Sequence, residues 1–107
     1  MQEITWSPTE KKAARAAFDQ ALAREMKAIK QEAVAMLKSM QDDFAIWDLL
    51  DYLSEKRREI DKKYDYRYSV LLLVFARLVF EGWLTEDDLS GIGREKIDII
   101  KRVRSIR

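Results

Sequence analysis

Large apolar residues at Phe18, Leu22, Met26, Ile29, Ala33, Leu37 and Met40 recur every three or four positions. That spacing draws a single stripe along an α-helix, close to a heptad repeat. Positions 13 to 35 hold nine alanines, alongside Lys, Arg, Glu and Gln, all strong helix formers. Ser7-Pro8-Thr9-Glu10 supplies a start signal: Ser7 caps, Pro8 fits the first helical position, and Glu10 closes a capping box. A second apolar series, Phe44, Trp47, Leu50, Leu53, Ile60 and Tyr64, follows Asp42 and Asp43, either of which can cap it. Val70 to Glu81 is apolar on nearly every face, with Ser69 as a candidate cap and Gly82 as its stop, and so reads as a core helix. Thr85 and Asp88 mark a short helical turn and Gly91-Ile92-Gly93 a loop. Residues from Arg94 on read as a last helix with Ile97, Ile100 and Val103 inward. No strand pattern, repeat or linker interrupts the series, so the predicted class is all-α in one domain spanning 1–107.

The first helix is too long for such a domain. About 33 residues give roughly 50 Å, whereas a compact chain of this length is roughly 34 Å across, with a radius of gyration near ~13 Å. Its stripe must overhang the globule and needs a cover. The expected architecture is a helical stalk over 7–66 and a small helical head over 67–107, doubled into a two-fold homodimer. The start of the second helix supplies the expected interface: Ile46, Trp47, Leu50 and Leu53. The head is expected to carry its own small core of Leu72, Phe75, Leu78, Val79 and the last helix.

Charge narrows the function. The 107 residues carry 20 Lys+Arg against 19 Asp+Glu, a net charge of +1, which disfavours a broad electrostatic grip on DNA or a membrane. Without cysteine or histidine, thiol chemistry, thiolate metal sites and the commonest general base are all missing. Asp42-Asp43 and Asp87-Asp88 stand at helix starts, where acids complement the dipole. No enzyme activity, metal or cofactor is therefore expected. The longest apolar run, Val70 to Ala76, falls far short of the roughly 20 residues of a membrane span. The N-terminus shows no apolar signal region, so a cytoplasmic protein is the default reading.

Residues 53–70, LSEKRREIDKKYDYRYSV, hold ten charged side chains and three tyrosines. Such a stretch can be a solvated helix end, a nucleic-acid strip in which Tyr66 and Tyr68 stack on bases, or a protein-binding surface. Interleaved acids at Glu55, Glu59 and Asp61 disfavour a polyanion. Arg and Tyr are types enriched at protein interfaces.

The run from Ile46 to Gly82 resembles the cyanobacterial fluorescence recovery protein family. The likeness rests on Trp47, Leu49, Asp51, Leu53, Ser54, Lys56, Arg57, Glu59, Ile60, Asp61, Lys63, Tyr64, Asp65, Arg67, Ser69, Val70, Val74, Phe75, Ala76, Glu81 and Gly82. It implies an all-α homodimer that is a non-enzymatic regulator of the orange carotenoid protein. Such a regulator binds the light-activated form, mainly through its C-terminal domain. It speeds return to the resting form and detachment from the phycobilisome, ending photoprotective quenching. The resemblance implies partner-binding roles for Trp47, Asp51 and Arg57, and in the head for Leu73, Lys96 and Lys101. This chain departs from the family pattern at Leu50, where a His is expected, and at Leu73, where a Phe is expected. These departures suit a relative from outside cyanobacteria or a reconstructed ancestor. The alternative reading is a small helical dimer with an unrelated partner, nucleic acid included.

Overall fold

The computed structural model describes residues 4–106, with side chains through Val103. Four α-helices follow one another: α1 (Pro8–Ser39), α2 (Ile46–Lys63), α3 (Leu71–Phe80) and α4 (Arg94–Ile106), with 3-10 turns at Asp43–Ala45 and Asp87–Ile92. No strand occurs among the described residues. The molecule measures 55 × 23 × 23 Å with a radius of gyration of 16.9 Å. That exceeds the ~13 Å of a compact chain, because α1 overhangs as its stripe predicts.

The capping box at the start of α1 forms. The Glu10 N–H donates to Ser7 Oγ at 3.1 Å, and the Ser7 N–H donates to Glu10 Oε1 at 2.9 Å. The box at the second 3-10 turn also forms, with Asp88 N–H on Thr85 Oγ1 and Thr85 N–H on Asp88 Oδ2. Gly82 ends α3 with φ +88°, a left-handed conformation that costs glycine little.

Three local expectations change. Asp42 caps, but it caps the 3-10 turn, taking the Phe44 N–H at 3.0 Å; that turn feeds α2 without a cap of its own. Ser69 does not cap α3. A turn from Arg67 to Val70 runs straight into the helix, leaving Val70 at the cap position with no side-chain bond. Gly91 and Ile92 continue the second 3-10 turn rather than looping out.

The head core is not self-contained. Phe75, Leu71, Leu78, Leu89, Ile92 and Ile100 are fully buried, and they pack with Trp6, Ala14, Ala17, Phe18 and Ala21 from the start of α1. The first half of α1 is thus a wall of the head, and only its second half projects as stalk. Its alanines explain the choice of wall. A side-chain carbon on Gly91 would stand 2.6 Å from Ala13 Cβ, so small residues on both sides let the 3-10 turn lie against α1.

Chain reversal at residues 40–45 sends α2 back along α1, and its end reaches Glu25. Of its 18 residues only Leu49 and Lys63 are buried.

Candidate partner interface

Two exposed apolar surfaces stand out, one on the stalk and one on the head. On the stalk, Met26, Val34 and Leu37 of α1 and Ile46, Trp47, Leu50 and Leu53 of α2 are all exposed, with Trp47 at 61% and Phe44 at the tip at 78%. Most of these are stripe residues, joined by Val34 and Ile46, and nothing among the described residues covers them.

At about 100° per residue, Trp47 and Asp51 lie about 40° apart on α2, while Arg57 lies about 120° from Asp51. The structure does not bring the three together within one chain. Arg57 instead falls within about 40° of Ile46, Leu50 and Leu53. It lines a groove of ≈ 350 Å³ with Met26, Ile29, Leu53 and Ile60. Ile46, Leu50, Leu53 and Arg57 therefore share one face, with Trp47 at its edge and Asp51 turned away beyond it.

The charges of α2 split by direction. Lys56 pairs with Glu59 at 3.2 Å, and that hydrogen bond raises the Lys56 pKa. Asp48, Asp51, Glu55, Arg57, Arg58, Asp61 and Lys62 make no ion pair among the described residues. Lys63 turns inward. Its Nζ lies 2.7 Å from both carboxylate oxygens of Glu25 and 2.6 Å from Glu81 Oε1. Tyr64 donates to Glu25 Oε1 at 2.9 Å; burial and that bond push the Tyr64 phenol well up. Glu81 also receives Arg77 Nε at 2.8 Å and the Trp83 indole N–H at 3.2 Å. Burial works against its charge, but the bonds from Lys63 and Arg77 outweigh it and hold Glu81 below the usual carboxylate range.

The tyrosines of the charged stretch are not a free stacking platform. Tyr64 and Tyr66 meet the edge of Phe18 with ring centroids at 5.3 and 4.9 Å, and Tyr68 lies 5.5 Å from Trp6. Arg15 and Lys11 sit over Tyr66 and Tyr68. These contacts dock the α2–α3 connection onto the head.

On the head, Leu73 and Phe80 are exposed on α3, seven residues and so about 20° apart, with Arg77 between them. Lys101 is half-exposed and pairs with Glu86 at 3.3 Å. Lys96 is buried. It holds Glu10 Oε2 at 3.1 Å and lies over the Trp6 ring at 4.9 Å, so it fastens the N-terminal segment rather than facing a partner. Sequence reasoning missed Phe80, which the seven-residue spacing from Leu73 does signal. It also missed Lys63, which has no signal, because a lysine in a charged run reads as solvated.

Among the described residues no helix is long and apolar enough to cross a membrane.

The family model of the photoprotection regulator fluorescence recovery protein matches residues 6–104. The fluorescence recovery protein of Synechocystis sp. (strain ATCC 27184 / PCC 6803 / Kazusa) is 37% identical over 99 residues, covering 92% of this chain and 91% of that protein. The solved structure of the Fremyella diplosiphon fluorescence recovery protein superposes with a TM-score of 0.87 at 42% identity, covering 96% of this chain and all of that one. That of the Synechocystis protein gives a TM-score of 0.87 at 36% identity, covering 94% and 99%.

Proposed function

The chain belongs to the photoprotection regulator fluorescence recovery protein family, and from that premise we propose that it works by binding, as a homodimer, to the photoactivated orange carotenoid protein. It engages that partner mainly through the partner's C-terminal domain and speeds its return to the resting form, ending quenching. One observation carries this reading. α2 offers solvent an apolar face, Ile46, Leu50 and Leu53, with Arg57 on the same side of the helix and the exposed Trp47 at its edge. A chain that kept such a surface for itself would lose solubility and gain nothing. As an interface it has the expected parts: a tryptophan and aliphatic centre, with charges that fix orientation.

No bond need be made or broken by the regulator. A binding protein accelerates a conformational return only if it holds the compact form, or the transition state leading to it, more tightly than the open form. The aliphatic face holds the two copies together, and Trp47 at its edge supplies contact area for the partner. The Arg57 guanidinium can grip a carboxylate with two parallel bonds, which a lysine cannot do.

The experiment is dark recovery of photoactivated orange carotenoid protein, timed with and without the chain. Wild type accelerates it. Arg57→Lys keeps the charge and the dimer but loses roughly tenfold in partner affinity, the equivalent of about 1.4 kcal/mol. An unchanged recovery rate with wild type overturns the reading, and Leu50 and Leu73 are then the positions to revert first.

A further inference from the structure

Helix α2 has two buried attachments within its own chain: Leu49 near the stalk tip and Lys63 at the base. One of them is a lysine, with its side chain 3% exposed. An apolar residue would hold this place at least as firmly, since desolvating a charge offsets most of what its pairing gains. What a buried ion network adds is direction, because each donor is satisfied in one arrangement only.

The network here is built for direction. Lys63 joins acceptors from two other elements, Glu25 of α1 and Glu81 just beyond α3. Each acceptor is itself aimed: Tyr64 fixes Glu25, while Arg77 and Trp83 fix Glu81. Two cations and two anions balance. Lys63 also sits in the last turn of α2, where a cation suits the helix dipole. Three helices thus meet on one ammonium group, at the joint between stalk and head.

We propose that Lys63 is a positioning residue that pins α2 to the head, so that the partner-facing residues of α2 and the head surface of Leu73 and Phe80 keep one fixed relation when they meet a partner. This rests on the binding function proposed above for its consequence, though not for its geometry. Without the pin, α2 stays helical but its C-terminal half swings on the Leu49 contact. The two surfaces then lose their fixed relation, and the partner must pay the entropy of realigning them.

The absence of native cysteine lets spin labels be placed at will. Pulsed electron–electron resonance is measured between labels at Glu55→Cys on α2 and Ser90→Cys on the head, with labelled chain diluted in unlabelled chain. Wild type gives a narrow distance distribution, and Lys63→Met broadens it. A control pair at Lys38→Cys and Ser90→Cys reads α1, which runs unbroken from head to stalk, and stays narrow in both. Lys63→Met combined with Glu25→Gln removes the carboxylate stranded by the single change. It folds without an uncompensated charge and still shows the broad Glu55–Ser90 distribution. Recovery of the carotenoid protein slows by roughly tenfold in both variants, the loss of one ordinary polar contact, while dimerisation persists. A narrow Glu55–Ser90 distribution in the double variant overturns the pin, because a neutral filler would then suffice. Broadening of the control pair also overturns it, because the whole fold has then loosened. The distance measurement needs no partner protein. If wild type accelerates no recovery, the proposed function falls while the pin still stands on its own readout.

Discussion

The head and the projecting stalk share a helix but are stabilised differently. In the head, α3 buries Leu71, Leu72, Val74, Phe75, Ala76 and Leu78 of its ten residues, and α1, the second 3-10 turn and α4 close around it. Its ions are also engaged: Arg24 with Asp88, Lys96 with Glu10, and Lys101 with Glu86. In the stalk, α2 is almost twice as long as α3 and buries two residues. Its large apolar groups face out, and most of its charges make no ion pair among the described residues. The head is complete within one chain. The stalk leaves its apolar face exposed, the surface that the proposed binding function uses. What differs is where the apolar area goes, and burial rather than propensity supplies most helical stability in proteins.

Mutations can break that contrast. The largest expected effect is in the head. Phe75 is fully buried, so Phe75→Ala should cost about 3–5 kcal/mol, read as a lower urea midpoint with loss of the whole cooperative transition. A cost near zero would mean that the head is not the folding core. Next comes Ile46→Glu on the stalk face. An uncompensated charge forced into the proposed dimer surface should weaken association by about 3 kcal/mol. Light scattering should then report monomer at micromolar concentration, with helical circular dichroism unchanged. Loss of helix in that variant would erase the distinction, because the stalk would then contribute to the fold of one chain.

The smallest effect sharpens the comparison at the edge of the head. Hydrogen bonds from Arg24, and then from the Thr85 backbone, hold the Asp88 carboxyl down at about 2. A carboxylate lowered by folding stabilises the native state at pH above its unfolded value near 3.8, and that contribution disappears as pH falls toward 2. With Arg24 substantially exposed, solvent screens the pair, and Asp88→Asn should cost about 1 kcal/mol at pH 7. The gap between variant and wild type in urea unfolding should shrink to roughly a third of its neutral-pH size by about pH 2.5 and close only below the folded value of about 2. A gap that persists in acid would assign the effect to the turn rather than to the charge.

Much of this was written locally. The stripe from Phe18 to Met40, the Ser7–Glu10 and Thr85–Asp88 boxes and the stop at Gly82 each depend on residues within a turn or two of one another, so the chain specifies them before it folds. The length of α1 likewise announced the overhang, and the spacing on α2 put Arg57 away from Asp51. Long-range placement was not written there. That Ala14, Ala17, Phe18 and Ala21 belong to the head rather than the stalk depends on Gly91 approaching Ala13 from 78 positions away in sequence. Lys96 and Lys101 look alike in sequence, yet one lies buried over Trp6 and the other half-exposed beside Glu86. Lys62 and Lys63 are neighbours with the same side chain. One faces water and the other is enclosed by two glutamates from other elements, because a 100° step around α2 separates solvent from the joint. Residue type and period determine which helices form and which face of each is apolar. Which charge is buried, and against what, was decided only when the ends of α2 and α3 came together on the middle of α1, since the desolvation of a lysine is tolerable only where the assembled fold supplies its counter-charges.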